Sequence, residues 1–183
     1  LESLKAPLVL DADALNNLSH SKTQWWTSRQ GQQTIVTPHP GEMARLRRGA
    51  GLAELKGDDD DTRLRIAHEY ACLSGAVVVL KGFRTVVCTA DRAYFNTSGD
   101  PGMATGGMGD VLTGLVAALL GQGIQAGGEF GAFEAACLGV YVHGAAAEAC
   151  ARQFGGFGYL AREVADAIPA ALARASRGPM GFK

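Results

Sequence analysis

A chain of 183 residues has room for one ordinary hydrophobic core, and a second domain is not expected. Its 47% hydrophobic and 19% charged residues exclude a disordered chain, and a formal net charge of −1 gives no basic field for nucleic acid or an anionic membrane. No apolar run approaches bilayer length and no signal-peptide pattern opens the chain, so the sequence reads as a soluble, cytoplasmic, single domain with no membrane partner. Four cysteines (Cys72, Cys88, Cys137 and Cys150) lack any C-x-x-C pair and read as reduced thiols.

In chain order, "PLVLD" (Pro7 to Asp11) has the profile of a strand buried on both faces. "ALNNLS" begins a short helix or turn. Thr34, Ile35 and Val36 form a second strand, and "EMARLRR" a helix after two prolines and a glycine. Asp58 to Asp61 open a longer helix with Leu64, Ala67, Tyr70, Ala71 and Ser74 at helical spacing and Gly75 at its end. "AVVVLKG" (Ala76 to Gly82) is the clearest buried strand. "TVVCT" and "AYFN", separated by Ala90, Asp91 and Arg92, read as an antiparallel hairpin. A helix from about Val111 to Gly121 follows, with Leu112, Leu115, Val116 and Leu119 on one face. Two Ala-rich helices, near Glu129–Gln153 and Tyr159–Ala175, complete the chain. Strands alternating with helices predict an α/β layered sheet, mostly parallel, with an antiparallel hairpin.

Ahead of the Val111 helix stands "GDPGMATGGMGDVLTG" (Gly99 to Gly114), which holds six glycines. Gly106, Gly107 and Gly109 would let backbone amides approach an anion at the positive end of that helix. Asp110 would repel such an anion unless it serves the other reactant. A base that takes the proton from an attacking hydroxyl must sit beside the transferred phosphoryl group, and Asp110 fits that place. The competing reading is that Asp110 caps the helix. The density of glycines favours function. No Walker-type G-x-x-x-x-G-K-[ST] is present, and glycines that follow a hairpin late in the chain argue against a dinucleotide-binding fingerprint.

Two further stretches end strands, where open α/β sheets place ligands. "TPHPGE" (Thr37 to Glu42) holds His39 between prolines that stiffen the backbone; a pocket residue and an incidental turn residue weigh equally. "KGFRT" (Lys81 to Thr85) offers Lys81 to a phosphate and Gly82 to close approach of a nucleotide, against a solvated lysine at a strand end. "DADAL" puts Asp11 and Asp13 after the first strand, one of them expected as a helix cap. Asp58 to Asp61 read as favourable charge at a helix start rather than a metal site. His143 reads as packed rather than catalytic, and His68–Glu69 does not complete H-E-x-x-H. Trp25–Trp26 reads as packing.

The order of "DADAL", "TPHPGEMARL", "VVLKGFRTVV" and "GDPGMATGGMGDVLTG" resembles the bacterial ADP-dependent NAD(P)H-hydrate dehydratases, a branch of the ribokinase-like superfamily, from Pro7 to about Ala175. The resemblance implies a ribokinase-like layered fold over residues 1–183, a partial domain whose N-terminal strand–helix units are missing. It implies a repair reaction: ADP phosphorylates the ring hydroxyl of hydrated NADH or NADPH, and loss of phosphate restores NAD(P)H. It further implies Asp110 as base and substrate contact, with His39 lining the same pocket. Lys81, Gly82, Phe83, Arg84, Thr85 and Gly109 would border the adenine nucleotide, with Gly106 and Gly107 in the anion-binding turn. Mg²⁺ would accompany the diphosphate, its protein ligands unassigned. A small-molecule kinase and an inactive nucleotide-binding domain stand as alternatives. A homo-oligomer and a fused or partner epimerase are left open. Where many relatives carry G-N-P-G, this chain has Gly99-Asp100-Pro101-Gly102, which brings a further negative charge toward the phosphates.

Overall fold

The structure is a computed structural model that describes residues 3–21 and 24–177. Five short strands form one sheet in chain order: β1 (Leu8–Leu10), β2 (Thr34–Val36), β3 (Val77–Leu80), β4 (Val86–Cys88) and β5 (Ala93–Phe95). β1, β2 and β3 run parallel, with Val9 opposite Ile35 and Val36 opposite Val78. β4 returns antiparallel on β3, and β5 antiparallel on β4. The α/β layered sheet and the hairpin are as expected, but the antiparallel part reaches one pairing further. The sheet is mixed.

Helices α1 (Asp13–His20), α2 (Pro40–Gly49) and α3 (Asp60–Ser74) cover one face, and α4 (Met108–Ala126) and α5 (Ala132–Phe154) the other; α6 (Ala161–Ala175) packs on α5. The alternation of side chains along β3 decides which core each residue joins. Val78 and Leu80 meet Leu15, Met43, Leu46 and Tyr70 on the first face. Val77 and Val79 meet Leu112, Val116 and Val140 on the second. A strand covered on both faces has no polar side, which is why "VVVL" is continuously apolar. β1 differs from the expectation: Leu10 is buried, but Leu8 and Val9 are only half-buried, because β1 lies at the sheet edge.

Local chemistry sets the helix boundaries. Asp59 caps α3 by accepting from the Thr62 amide at 2.9 Å, and Gly75 ends it in the left-handed region at φ 67°. Asp60 pairs with Arg84 at 3.0 Å, so the acidic run opens a helix as predicted. Trp25 and Trp26 are buried in a short 3-10 turn, the Trp25 indole donating to the Tyr70 hydroxyl at 3.3 Å. The small residues of α5 allow close packing: a Cβ on Gly139 would collide with Val116, and one on Gly144 with Ser98. All four cysteines are free thiols. Among the described residues, no helix is long and apolar enough to cross a membrane.

Candidate active site

Parallel strands in register deliver the residues that follow them to one edge. Asp11 leaves β1, Thr37 to His39 leave β2, and Lys81 leaves β3. Backbone bonds stitch these exits together: Thr37 donates to Leu10 O at 3.0 Å and Lys81 to Pro38 O at 2.9 Å. The first turns of α4 arrive at the same edge, where Thr113 Oγ1 donates to Asp11 Oδ2 at 2.8 Å.

Lys81 is not a solvated strand-end lysine. Its Nζ donates to Asp11 Oδ1 at 2.7 Å and lies 3.8 Å from Glu42 Oε2. Burial works against ionisation of Asp11, but the hydrogen bonds from Lys81 and Thr113 and the charge of Lys81 prevail. Its carboxyl is held below the ordinary carboxylate range. Of the "DADAL" pair, neither side chain caps α1; Ala12 stands at its N-cap with φ 50°, and Asp13 lies in the first turn.

His39 has a double position. It lines the cavity described below, and its Nδ1 caps α2 by accepting from the amides of Gly41 (3.0 Å) and Glu42 (3.3 Å). The Glu42 carboxylate returns the favour to the His39 amide at 2.8 Å, closing a capping box. With Nδ1 an acceptor, the proton of the uncharged ring sits on Nε2, 3.4 Å from Glu42 Oε1.

A cavity of about 1060 Å³ opens between these exits and the glycine stretch. His39, Lys81, Gly82, Phe83, Arg84 and Thr85 line it on one side, and Gly106 and Gly109 on the other. Gly82 turns at φ 141° and Arg84 at φ 52°, the guanidinium of Arg84 lying 5.6 Å from the centre of the Phe95 ring. Phe83 is 91% exposed at the rim. Gly107 and Asp110 do not line the cavity; they flank it.

Helix α4 begins at Met108, three residues earlier than predicted, so Asp110 lies inside its first turn rather than before it. Gly107 occupies the N-cap at φ 87°, and no side chain caps the helix. The Asp110 side chain is exposed and bonds to none of the described residues. Capping therefore does not account for it. A Cβ built on Gly109 would sit 3.5 Å from Lys81 Nζ, which places the Asp110 turn directly against the Lys81–Asp11 pair.

Asp100 lines the cavity, yet its charge is engaged. Oδ1 accepts from the Gly102 amide at 2.8 Å and from the Tyr159 hydroxyl at 2.9 Å. Burial and the nearby carboxylate raise the Tyr159 phenol, which keeps it a donor. Sequence reasoning passed over Glu42 and Thr113 as site residues, and no periodicity marks them. Asn96 was also passed over; it is buried at the end of β5 and binds the Val140 carbonyl at 3.3 Å.

A family model described as NAD(P)H-hydrate dehydratase matches residues 1–170. The chain belongs to the NAD(P)H-hydrate dehydratase family. It is 42% identical over 168 residues to an ADP-dependent (S)-NAD(P)H-hydrate dehydratase of Neisseria meningitidis, a match covering 91% of this chain and 53% of that protein. It is 46% identical over 173 residues to a bifunctional NAD(P)H-hydrate repair enzyme of Moorella thermoacetica, covering 94% of this chain and 30% of that one. The chain thus spans about half the length of the first relative and under a third of the second. Among solved structures, an ADP/ATP-dependent NAD(P)H-hydrate dehydratase of Bacillus subtilis, co-crystallised with ATP and Mg²⁺, superposes with a TM-score of 0.74 at 29% identity. That superposition covers 95% of this chain and 57% of the Bacillus one. The dehydratase fold seen here is ribokinase-like.

Proposed function

We propose that this NAD(P)H-hydrate dehydratase family member carries out the ADP-dependent dehydration of hydrated NADH or NADPH. One observation carries the reading. Asp110 is a carboxylate with no partner among the described residues, set in the first turn of α4 beside the cavity-lining Gly109 and the Lys81–Asp11 pair. An unengaged carboxylate keeps its lone pairs for an incoming proton.

The chemistry follows in two steps. Asp110 takes the proton of the ring hydroxyl as the hydroxyl oxygen attacks the β-phosphorus of ADP; the bond from that phosphorus to the bridging oxygen breaks and AMP leaves. The new phosphoester then departs as inorganic phosphate while the neighbouring carbon loses a proton, and the ring double bond re-forms. The sum is ADP plus hydrate giving AMP, phosphate and NAD(P)H. Lys81, the Gly106 and Gly109 amides and Arg84 are assigned to the nucleotide, with Gly82, Phe83 and Thr85 along its edge and Gly107 forming the helix cap. His39 is assigned to the hydrate through Nε2–H.

Mg²⁺ belongs to this proposal only as part of the nucleotide. The described residues contain no group of three or more His, Cys, Asp or Glu that could hold a metal ion, and both Asp11 oxygens are already bonded. Diphosphate oxygens and water are the ordinary ligands of this ion, so the residues fit a metal that arrives with ADP. No step is assigned to it. The bifunctional Moorella relative is the reason to include a fused or partner epimerase in the same proposal.

Incubation of the protein with hydrated NADPH, ADP and Mg²⁺ tests the reading. Return of NADPH absorbance with one AMP and one phosphate per turnover is the expected result. A stable phosphorylated product without NADPH recovery would assign a kinase instead.

A further inference from the structure

One polar side chain in the cavity wall has no use in the reaction above. His143, on α5, is 5% exposed and lines the cavity, and its Nε2 is buried without a hydrogen-bond partner. No side-chain bond from any described residue reaches the ring. Burial alone pushes its pKa down to about 4. The imidazole is therefore uncharged at neutral pH and offers one N–H donor and one acceptor. A buried polar atom left unpaired is unfavourable, and native interiors rarely retain one without a purpose.

The neighbours narrow what the ring can bind. Val140, one turn earlier on α5, and Met108 and Leu112 on α4 make this part of the wall apolar. Asn96 is already engaged: its Nδ2 donates to Ser98 O and Val140 O, and its Oδ1 accepts from the Tyr94 hydroxyl. Groups that attract phosphate lie elsewhere, at Lys81, Arg84 and the Gly106–Gly109 amides. Leu112 stands about 6 Å further along α4 than Met108, a rise of four residues. A nucleotide with its phosphates at the helix start and its length along α4 would have its uncharged end on the apolar wall that contains His143.

The stretch of α5 that carries the ring is also fastened before any ligand arrives. Ser98 Oγ donates to Tyr141 O at 2.8 Å, and the Gly99 amide to Glu148 Oε1 at 2.9 Å, so the loop after β5 is fastened to α5 on both sides of His143. Gly144 permits that approach, since a Cβ there would meet Ser98. We propose that His143 is a base-recognition residue whose imidazole hydrogen-bonds the heterocyclic base of the nucleotide, a role that rests on the cavity being the ADP site.

Calorimetry with two probes, ADP and inorganic diphosphate, tests the assignment on wild type, His143→Leu and His143→Asn. Loss of one buried hydrogen bond should weaken ADP roughly 5- to 20-fold in His143→Leu and leave diphosphate unchanged. His143→Asn, which keeps a donor and an acceptor, should fall between. Equal ADP affinity in wild type and His143→Leu overturns the assignment, and so does an equal loss for diphosphate. If the Leu variant does not fold, imidazole nitrogen spectra of the wild type decide. ADP, and not diphosphate, should shift the His143 resonance, assigned through His143→Asn; a resonance that ignores ADP overturns the role. A wild type that binds no ADP overturns the nucleotide reading itself, and this assignment with it. ADP binding that is indifferent to His143 overturns this assignment alone.

Discussion

Replacing Asp11 by Asn would loosen the joint that ties β1, β3 and α4 together. Oδ1 accepts from Lys81 at 2.7 Å and Oδ2 from Thr113 at 2.8 Å. Hydrogen bonds to an ionised group contribute about 1.5–3 kcal/mol each, a gross sum of about 3–6 kcal/mol. Burial opposes this, because the Asp11 and Lys81 side chains are 10% and 20% exposed and lose much of their hydration. The variant keeps one acceptor oxygen but loses the charge and the second acceptor, which leaves Glu42, at 3.8 Å, as the carboxylate beside Lys81. A net loss of about 2–3 kcal/mol is expected, a large share of the roughly 5–15 kcal/mol of an ordinary domain. The pH dependence has a definite sign. The Asp11 carboxyl is held below its ordinary 3.8, so its stabilisation is full above that value and is lost as pH falls through the lower, folded one. Urea unfolding of wild type, Asp11→Asn, Lys81→Met and the double variant would measure the coupling, expected at about 1–3 kcal/mol at pH 7. A coupling below about 0.5 kcal/mol, or one that grows in acid, refutes this account of the joint.

Asp110→Asn should lower turnover roughly 10²- to 10⁴-fold while ADP still binds, because the proposed general base is lost and no side-chain bond among the described residues is broken. Steady-state rates beside calorimetry check this, and unchanged turnover would remove Asp110 from the mechanism. Gly144→Ala should cost about 1–3 kcal/mol in a thermal melt, since a Cβ collides with Ser98 and must displace the loop after β5. A melt within error of wild type would show that the loop yields freely. Burial lowers His143 from 6.5 to about 4, so the unfolded chain takes up that proton first. Stability should therefore decline as pH falls from about 6.5 to about 4, and in a His143→Leu protein that contribution should vanish from the unfolding curves.

Much of this was legible in the chain before any contact was known. Gly75 marked the end of α3 because a left-handed residue was needed there, and Asp58 to Asp61 marked its start through capping and dipole charge. "VVVL" announced a strand covered on both faces. Other features were hidden for identifiable reasons. The sequence places the start of α4 late because Gly106, Gly107 and Gly109 are poor helix formers, and tertiary packing of Met108 overrides them. Glu42 carries a capping-box spacing that can be read, but nothing local reveals that its carboxylate also approaches Lys81. His143 read as a packed histidine, and it is packed. That its ring also walls a cavity depends on α4, α5 and the β5 loop meeting.

By itself the sequence determined the element order, the apolar faces and the motifs that carry the family resemblance, because each is a pattern among near neighbours in the chain. Tertiary structure decided how far the antiparallel pairing extends, that Lys81 is held by Asp11 at a sequence separation of 70, and that the Asp110 side chain is left unengaged among the described residues. Those outcomes depend on which strand ends share an edge and which oxygens find donors there. Distances of that kind are set by packing, and no local spacing encodes them.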